Sequence, residues 1–134
     1  MRKKILVVDD DADVVQLVSF NLKRAGYTIG TASDGVEAIK KARSMAPDLI
    51  LLDVMMPELD GFEVCKTLRR DPATASIPIM MLTALSSEMA RLEGLGSGAT
   101  DFLSKPFSPK LLLTRIGNLL KEPAKQELAH DTGP

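Results

Sequence analysis

The amino-acid sequence predicts an α/β fold in which a doubly wound, five-stranded parallel sheet lies between two layers of helices. Short runs such as Ile5–Val8 and Leu49–Leu52 are apolar at every position, which is typical of strands that are buried on both faces. Predicted strands, of which the one at residues 28–32 is weaker, alternate with segments of helical apolar spacing five times within residues 1–121. Because strands that alternate with helices pair in parallel through right-handed crossovers, we predict a (βα)5 three-layer sandwich.

The helices and strands have clear start and stop signals. In Asp34–Glu37 and Asp60–Glu63, an aspartate stands three residues before a glutamate, a capping pattern that satisfies free N–H groups at a helix start. Ser108 before Pro109 provides an N-cap and a proline at the first helical position. The predicted strands cover residues 5–8, 28–32, 49–52, 77–82 and 100–103. The predicted helices cover residues 14–25, 35–46, 61–70, 87–95 and 109–121.

The composition is that of one ordinary globular domain. The chain has 134 residues, and its 17 Lys and Arg residues nearly balance its 18 Asp and Glu residues. We expect one folded domain over residues 1–121 and a flexible tail or the start of a linker at residues 122–134, where the apolar periodicity stops. The balanced charge predicts no direct nucleic-acid binding by this chain.

The numbers of cysteines and histidines and the hydropathy pattern argue against further classes of protein. Cys65 is the one cysteine and His130 the one histidine, which excludes a disulfide framework and His-dependent triads and argues against a structural zinc site. No apolar run reaches the roughly 18–20 residues that span a bilayer. The sequence therefore predicts no membrane association and a cytoplasmic location.

Polar side chains of complementary charge follow four of the five predicted strands. They are Asp9, Asp10 and Asp11 after the first strand, Asp53 after the third, Thr83 after the fourth and Lys105 after the fifth. Ligands of open α/β sheets bind at the carboxyl ends of the strands, near a switch point in strand order, so we expect these side chains to converge. Each residue alone would be read as a loop carboxylate, a cap or a surface lysine, and Asp11 is expected to cap the first helix. Their joint occurrence favours a functional site.

The grouped carboxylates predict a bound divalent cation. Carboxylates that are brought together repel each other, and an all-oxygen ligand set suits Mg²⁺, with Mn²⁺ as an alternative. Asp10, Asp53, a backbone carbonyl and a phosphoryl group would form such a site. Lys105 and Thr83 would then supply a positive charge and a hydrogen bond to the remaining phosphoryl oxygens.

Four separated stretches make the chain resemble the receiver domain of two-component response regulators, which has a CheY-like, flavodoxin-like fold. The stretches are residues 5–11, 48–61, 79–84 and 98–107, and the resemblance extends over residues 3–121. It implies a domain that takes a phosphoryl group from a histidine kinase. Such a domain is a signalling phosphoacceptor rather than an enzyme, and it assists only its own phosphorylation and dephosphorylation.

The resemblance also implies a role for each acidic residue. Asp53 is implied to be the phosphoacceptor. Asp9 and Asp10 are implied to be the acidic pair that holds Mg²⁺, together with Asp53 and the backbone carbonyl of Met55.

Further positions match the residues that respond to phosphorylation in this family. Thr83 is implied to turn its hydroxyl toward the phosphoryl group, and Lys105 to pair with that group. Phe102 stands at the aromatic switch position but has no hydroxyl, so that only its packing can switch. The Lys105–Pro106 bond matches the family's cis peptide.

The family's output surface comprises the fourth helix, the fifth strand and the fifth helix. Arg91, Asp101 and Arg115 resemble part of a charged set through which related regulators form dimers. Leu111 stands where an acidic partner of Arg91 is expected, and helical spacing predicts that it is partly exposed. We expect an output domain or a downstream protein as partner. We also expect a phosphorylation-dependent homodimer that is weaker than the dimers of the related regulators or packed differently from them.

Two functions of other classes compete with this interpretation. Asp9-x-Asp11 imitates the nucleophile motif of haloacid-dehalogenase-type aspartyl-phosphate phosphatases, but Ala12 and Asp13 follow it in place of the Gly-Thr of that motif, and Asp53 would have no role. A flavodoxin-like electron carrier would need glycines and amide donors after the first strand rather than anions.

Overall fold

The computed structural model describes residues 2–84 and 96–121, which form the predicted α/β sandwich. The strands are β1 (Lys4–Val8), β2 (Thr28–Ala32), β3 (Leu49–Asp53), β4 (Ile79–Thr83) and β5 (Asp101–Ser104). They form one parallel sheet in the order β2-β1-β3-β4-β5. The chain therefore continues to one side of β1 with β2 and to the other side with β3, which makes the β1–β3 boundary the switch point of the sheet.

The described helices begin at the capping residues that the sequence predicted. They are α1 (Ala12–Arg24), α2 (Gly35–Met45), α3 (Gly61–Arg70) and α4 (Pro109–Leu119), the last being the fifth helix of the sequence prediction. The N-cap side chains of α1, α2, α3 and α4 each accept a hydrogen bond from a backbone N–H of the first turn. The helix predicted at residues 87–95 and the tail predicted at residues 122–134 lie outside the described residues. Within the described ranges no helix has both the length and the hydropathy that a membrane crossing requires.

The fourth strand begins two residues later than the sequence predicted. The Ile77 N–H donates to the Thr74 carbonyl (3.2 Å) in the turns that follow α3. Pro78 has no N–H to contribute to a sheet. Pairing with β3 therefore starts at Ile79, which lies opposite Ile50.

Apolar side chains cover both faces of the sheet. Every residue of β3 and β4 is buried, as continuous apolar runs predict for central parallel strands. Leu6 and Val8 of β1 pack in the cluster that includes α2 and α3, whereas Ile5 and Val7 pack in the cluster that includes α1 and α4. This alternation follows from the two-residue period of a strand.

Arg69, near the end of α3, joins the segments that lead into β4 and β5. Its guanidinium donates hydrogen bonds to the carbonyls of Gly98 (2.9 Å), Ala75 (3.0 Å) and Ile77 (2.7 Å). A guanidinium has five donors in a fixed plane, and three of them bind these three carbonyls at once. Arg69 therefore holds the starting ends of two strands in position.

We predict that Arg69→Ala lowers the free energy of unfolding by about 2–4 kcal/mol, because three carbonyls lose a charged donor. Arg70 is the matched control, since it is the exposed neighbour with the same charge, and Arg70→Ala should cost less than about 0.5 kcal/mol. Urea unfolding of both variants measures the difference. Equal losses would contradict the role given to Arg69.

Candidate functional site

The strand order brings the ends of β1 and β3 side by side at one edge of the sheet. Val8 lies opposite Leu52, so Asp9, which follows β1, is adjacent to Asp53, the last residue of β3. Asp53 is also paired with Leu82 of β4. The convergence predicted from the strand ends is therefore present in the structure.

Three carboxylates meet at this edge. One oxygen from each of Asp9, Asp10 and Asp53 lies within 4.8 Å of the others. Asp9 and Asp53 are 1% and 3% exposed, whereas Asp10 is exposed. Asp11 has a different role, because its Oδ1 accepts the Asp13 N–H (2.9 Å) and caps α1 as predicted.

Lys105 bridges the two buried carboxylates. Its Nζ donates to Asp9 Oδ2 at 3.1 Å and to Asp53 Oδ1 at 3.2 Å. The backbone N–H of Lys105 donates to the Thr83 carbonyl (2.8 Å), which fixes the start of the loop after β5. The Lys105–Pro106 peptide bond is cis.

Burial and charge set the protonation of these groups. Burial, and after it the neighbouring Asp9 charge, raise the pKa of Asp53 from 3.8 to about 6, although Lys105 opposes the shift. Burial alone would lower the pKa of Lys105, but its hydrogen bond to Asp9 and the charges of Asp53 and Asp9 raise the pKa above its usual value. The ammonium is therefore firmly charged, and the Asp53 carboxylate carries a negative charge that the protein only partly compensates.

Gly61 fits closely against the chain that carries Asp53. A Cβ atom at residue 61 would lie 2.5 Å from the Asp53 carbonyl oxygen and 2.8 Å from the Val54 Cα. The Gly61 N–H donates to the Val54 carbonyl at 3.0 Å. The capping pattern Asp60–Glu63 predicted a helix start here but not this close approach of two backbones, for which a glycine directly after the N-cap was the available signal.

The remaining predicted site residues lie on β4, on β5 and directly after β3. Thr83 is the last residue of β4 and is 3% exposed. The Met55 N–H donates to Asp53 Oδ1 at 3.3 Å, while the Met55 side chain is 58% exposed. Phe102 in β5 is partly buried and packs against the apolar cluster of α2 and α3.

The predicted interface residues that the structure describes lie on β5 and α4. Arg115 Nη1 donates to both carboxylate oxygens of Asp101, at 3.1 and 2.9 Å, and to the Phe102 carbonyl at 3.1 Å. Leu111 is 42% exposed, as the helical spacing predicted. Arg91 lies outside the described residues.

The donor set of the acidic cluster fits a hard divalent cation. Its candidate ligand atoms are carboxylate oxygens, which suit Mg²⁺ and Mn²⁺ better than zinc. The exposure of Asp10 leaves the cluster open to solvent on one side, and Mg²⁺ usually keeps several of its waters. A cation would also relieve the repulsion between Asp9 and Asp53, which is the second cause, after burial, of the raised pKa of Asp53.

Comparisons with known proteins agree with this geometry. The family model of the response regulator receiver domain matches residues 5–117. The chain is 52% identical over 121 residues to the alkaline phosphatase synthesis transcriptional regulatory protein PhoP of Bacillus subtilis, covering 90% of this chain and 50% of that protein. It is 48% identical to the DNA-binding dual master transcriptional regulator RpaA of Synechocystis, covering 88% of this chain and 49% of that protein.

A solved structure of a known protein shares the fold of this chain. The chemotaxis protein CheY4 of Vibrio cholerae matches with a TM-score of 0.86 and 41% identity, covering 89% of this chain and 99% of that one. The chain thus matches this receiver structure over nearly its full length, whereas it spans about half the length of the curated relatives PhoP and RpaA.

We predict that Asp53→Asn raises the free energy of unfolding by about 1–3 kcal/mol at pH 7 without divalent cations. Folding raises the pKa of Asp53 from 3.8 to about 6, so the native state binds this proton more tightly than the unfolded chain. Wild type should therefore lose stability as the pH rises from about 4 through 6, and Asn, which does not ionise, should not.

Urea unfolding across this pH range checks the prediction, with Asp10→Asn as the control at an exposed carboxylate of the same cluster. The stabilisation by Asp53→Asn should shrink toward zero near pH 4 and exceed that of Asp10→Asn at pH 7. A stabilisation independent of pH would show that the Asp53 charge is not its cause.

Proposed function

This chain belongs to the family of response regulator receiver domains, and from that premise we propose that Asp53 is its phosphoacceptor. Receiver domains are signalling domains of two-component systems. In the proposed reaction an Asp53 carboxylate oxygen bonds to the phosphorus of a kinase phosphohistidine, and the P–N bond breaks. The observation that carries the proposal is the bridge from Lys105 Nζ to Asp9 and Asp53, at 3.1 and 3.2 Å.

Asp53 occupies the position that phosphoryl transfer requires. It ends the central strand β3, beside β1 and β4, so its carboxylate is held by a rigid sheet rather than by a loop. The transition state of such a transfer is loose, and catalysis depends mainly on positioning and charge stabilisation. Lys105 would meet the negative charge that the phosphoryl oxygens bring to this position.

Asp9, Asp10 and Asp53 would hold Mg²⁺, or alternatively Mn²⁺, together with the Met55 carbonyl. When bound, a divalent cation of this kind offsets carboxylate charge and binds phosphoryl oxygens. The two buried carboxylates and the exposed one support this ligand set. Asp11 is not included, because its side chain caps α1.

Thr83, Lys105 and Phe102 would respond to phosphorylation. A phosphoryl group adds a charge of about −1.5 to −2 to Asp53, which favours a move of the Lys105 ammonium and the Thr83 hydroxyl toward it. Phe102 has no hydroxyl, so its response would be a change of packing against the apolar cluster beside it. These shifts would bias β5 and the following helix between two states.

We propose a histidine kinase as the upstream partner and an output domain or a downstream protein as the receiver of the signal. The curated relatives PhoP and RpaA are described as transcriptional regulators and are about twice as long as the matched region. Such an output would bind DNA through a different part of the protein, in keeping with the balanced charge of this chain. We place the domain in the cytoplasm, and its catalytic role is limited to its own phosphorylation and dephosphorylation.

The phosphatase alternative is not supported. The receiver family model covers residues 5–117, and the second aspartate of the phosphatase-like motif, Asp11, is occupied in capping α1 through the Asp13 N–H. The residue that this alternative leaves unexplained, Asp53, lies at the centre of the carboxylate cluster.

We predict that incubation with a small phosphoryl donor and Mg²⁺ adds one phosphoryl group to the protein, at Asp53. Intact-mass spectrometry measures the addition. Asp53→Asn should abolish it, whereas the cap variant Asp11→Asn should retain it. Labelling of Asp53→Asn at the wild-type level would refute the assignment.

Magnesium affinity should depend on Asp10 and much less on Asp11. Loss of one carboxylate ligand should weaken Mg²⁺ binding by at least the roughly 10- to 100-fold that is typical of losing a group that only orients a ligand, whereas Asp11 contributes a helix cap. Calorimetric titration of Asp10→Ala and Asp11→Ala separates the two roles. An equal loss of affinity would mean that the assignment of ligand and cap is wrong.

Phosphorylation should promote a weak homodimer through the face that contains Asp101, Leu111 and Arg115, with Arg91 as a further predicted member. Sedimentation with and without beryllofluoride, a phosphoryl mimic, measures this association. Arg115→Ala removes the ion pair with Asp101 and should reduce the mimic-dependent dimer. A mass that is unchanged by the mimic at high protein concentration would reject this dimer.

A further inference from the structure

Met55 has an exposed side chain directly after the strand that carries Asp53. This side chain is 58% exposed, whereas Met56, the next residue, is 7% exposed and packs in the core cluster of α2 and α3. Met80 and Met81 of β4 are both 0% exposed. Among the methionines that the structure describes, Met55 is therefore the one whose side chain is most accessible to solvent.

The backbone of the same residue belongs to the site. Met55 lies two residues after Asp53, and its N–H donates to Asp53 Oδ1 at 3.3 Å. The Met55 carbonyl is the proposed backbone ligand of the divalent cation. A chemical change of this side chain therefore takes place in solvent beside the acidic cluster and leaves the buried carboxylates themselves unaltered.

An unmodified methionine side chain is of no use to a hard cation. A thioether sulfur is a soft ligand and a weak hydrogen-bond acceptor, whereas Mg²⁺ takes oxygen ligands and usually keeps several waters. The Met55 side chain therefore offers neither a ligand to the cation nor a strong acceptor to the waters that the cation keeps.

We propose that Met55 is a site of reversible oxidation by peroxides, and that its sulfoxide strengthens Mg²⁺ binding at the acidic cluster. The second part rests on the proposed metal site. With hydrogen peroxide, a sulfur lone pair bonds to one peroxide oxygen, the O–O bond breaks, and the other oxygen leaves with both protons as water. Sulfur is oxidised by two electrons, and the peroxide is reduced by the same two.

Oxidation changes what the Met55 side chain offers to the site. It converts a flexible apolar side chain into a polar one, whose sulfoxide oxygen is a hydrogen-bond acceptor. Because the side chain and the proposed ligand carbonyl belong to one residue, the new oxygen can accept hydrogen bonds from waters bound to the cation. Outer partners of metal ligands change affinity about 10- to 100-fold, and a solvent-exposed one should contribute less, about three- to tenfold.

The buried methionines show why the modification is confined to this residue. A sulfoxide at Met56, Met80 or Met81 would place a polar oxygen in the apolar core, at a cost in stability. Met55 needs no unfolding to react, since more than half of its side chain is already exposed. Methionine sulfoxide reductases return the product to methionine, so the change is reversible.

Peptide mapping by mass spectrometry, after brief treatment of the folded chain with hydrogen peroxide, tests the first part. Met55 should gain one oxygen atom about tenfold or more faster than Met56, because oxidation follows exposure. Met56 is the matched control, since it is the adjacent residue of the same type. In urea, where both side chains are exposed, the two should react at similar rates.

Calorimetric titration with Mg²⁺ tests the second part. The chain oxidised at Met55 should bind Mg²⁺ about three- to tenfold more tightly than the unoxidised chain, and treatment with a methionine sulfoxide reductase should reverse the gain. The same peroxide treatment should give no gain in Met55→Leu and the full gain in Met56→Leu. Met55→Gln, which carries an amide oxygen without any oxidation, should reproduce part of the gain.

Equal oxidation rates of Met55 and Met56 in the folded chain would overturn the assignment of the modification site. An unchanged Mg²⁺ affinity after complete oxidation of Met55 would overturn the coupling to the metal, as would a gain that persists in peroxide-treated Met55→Leu. Unoxidised wild type that binds no Mg²⁺ would instead refute the proposed metal site and the coupling with it, while the peptide map still decides whether Met55 is the oxidation site.

Discussion

The rest of the site depends on two carboxylates that are buried side by side with one ammonium between them. Asp9 and Asp53 are almost inaccessible to solvent, and the Lys105 ammonium contacts both. Burial, and after it the Asp9 charge that one ammonium does not fully offset, raise the pKa of Asp53. An additional cation would therefore stabilise the pocket, and the same excess of negative charge would make the position of Lys105 sensitive to what is bound to Asp53.

The sheet holds the two carboxylates close together despite their mutual repulsion. Asp9 and Asp53 are carried by neighbouring strands whose side chains form the two core layers, so repulsion cannot separate the two carboxylates without disrupting the core. Gly61 allows α3 to start directly against the Asp53 carbonyl. On the other side, Lys105 lies three residues before Ser108, the N-cap of α4. A shift of the lysine would therefore be transmitted to the start of that helix.

The predictable parts of this structure are those that local sequence determines. Apolar runs predicted the strands, and cap residues predicted the starts of the described helices, because both features depend on a few consecutive residues. The cap residues are Asp11, Asp34, Asp60 and Ser108. Convergence of the acidic residues could also be predicted, since parallel topology places all strand ends at one edge. The late start of β4, the carbonyl contacts of Arg69 and the close fit of Gly61 were not predicted. Pro78 and the glycine after the Asp60 cap were local signals for the first and the last of these. The contacts of Arg69 with Gly98 and Ile77 depend on which distant segments lie alongside α3, and the sequence pattern alone does not specify that.

The most direct test of the central claim is the protonation of Asp53 itself. Carboxyl carbon chemical shifts, followed by NMR against pH in metal-free protein, report its pKa in wild type and in Lys105→Met. The electrostatic account predicts a wild-type pKa of about 6 and a still higher pKa in Lys105→Met, because the opposing cation has been removed. A pKa near 3.8 in both proteins would show that the carboxylates are not in electrostatic conflict and that Lys105 does not compensate them.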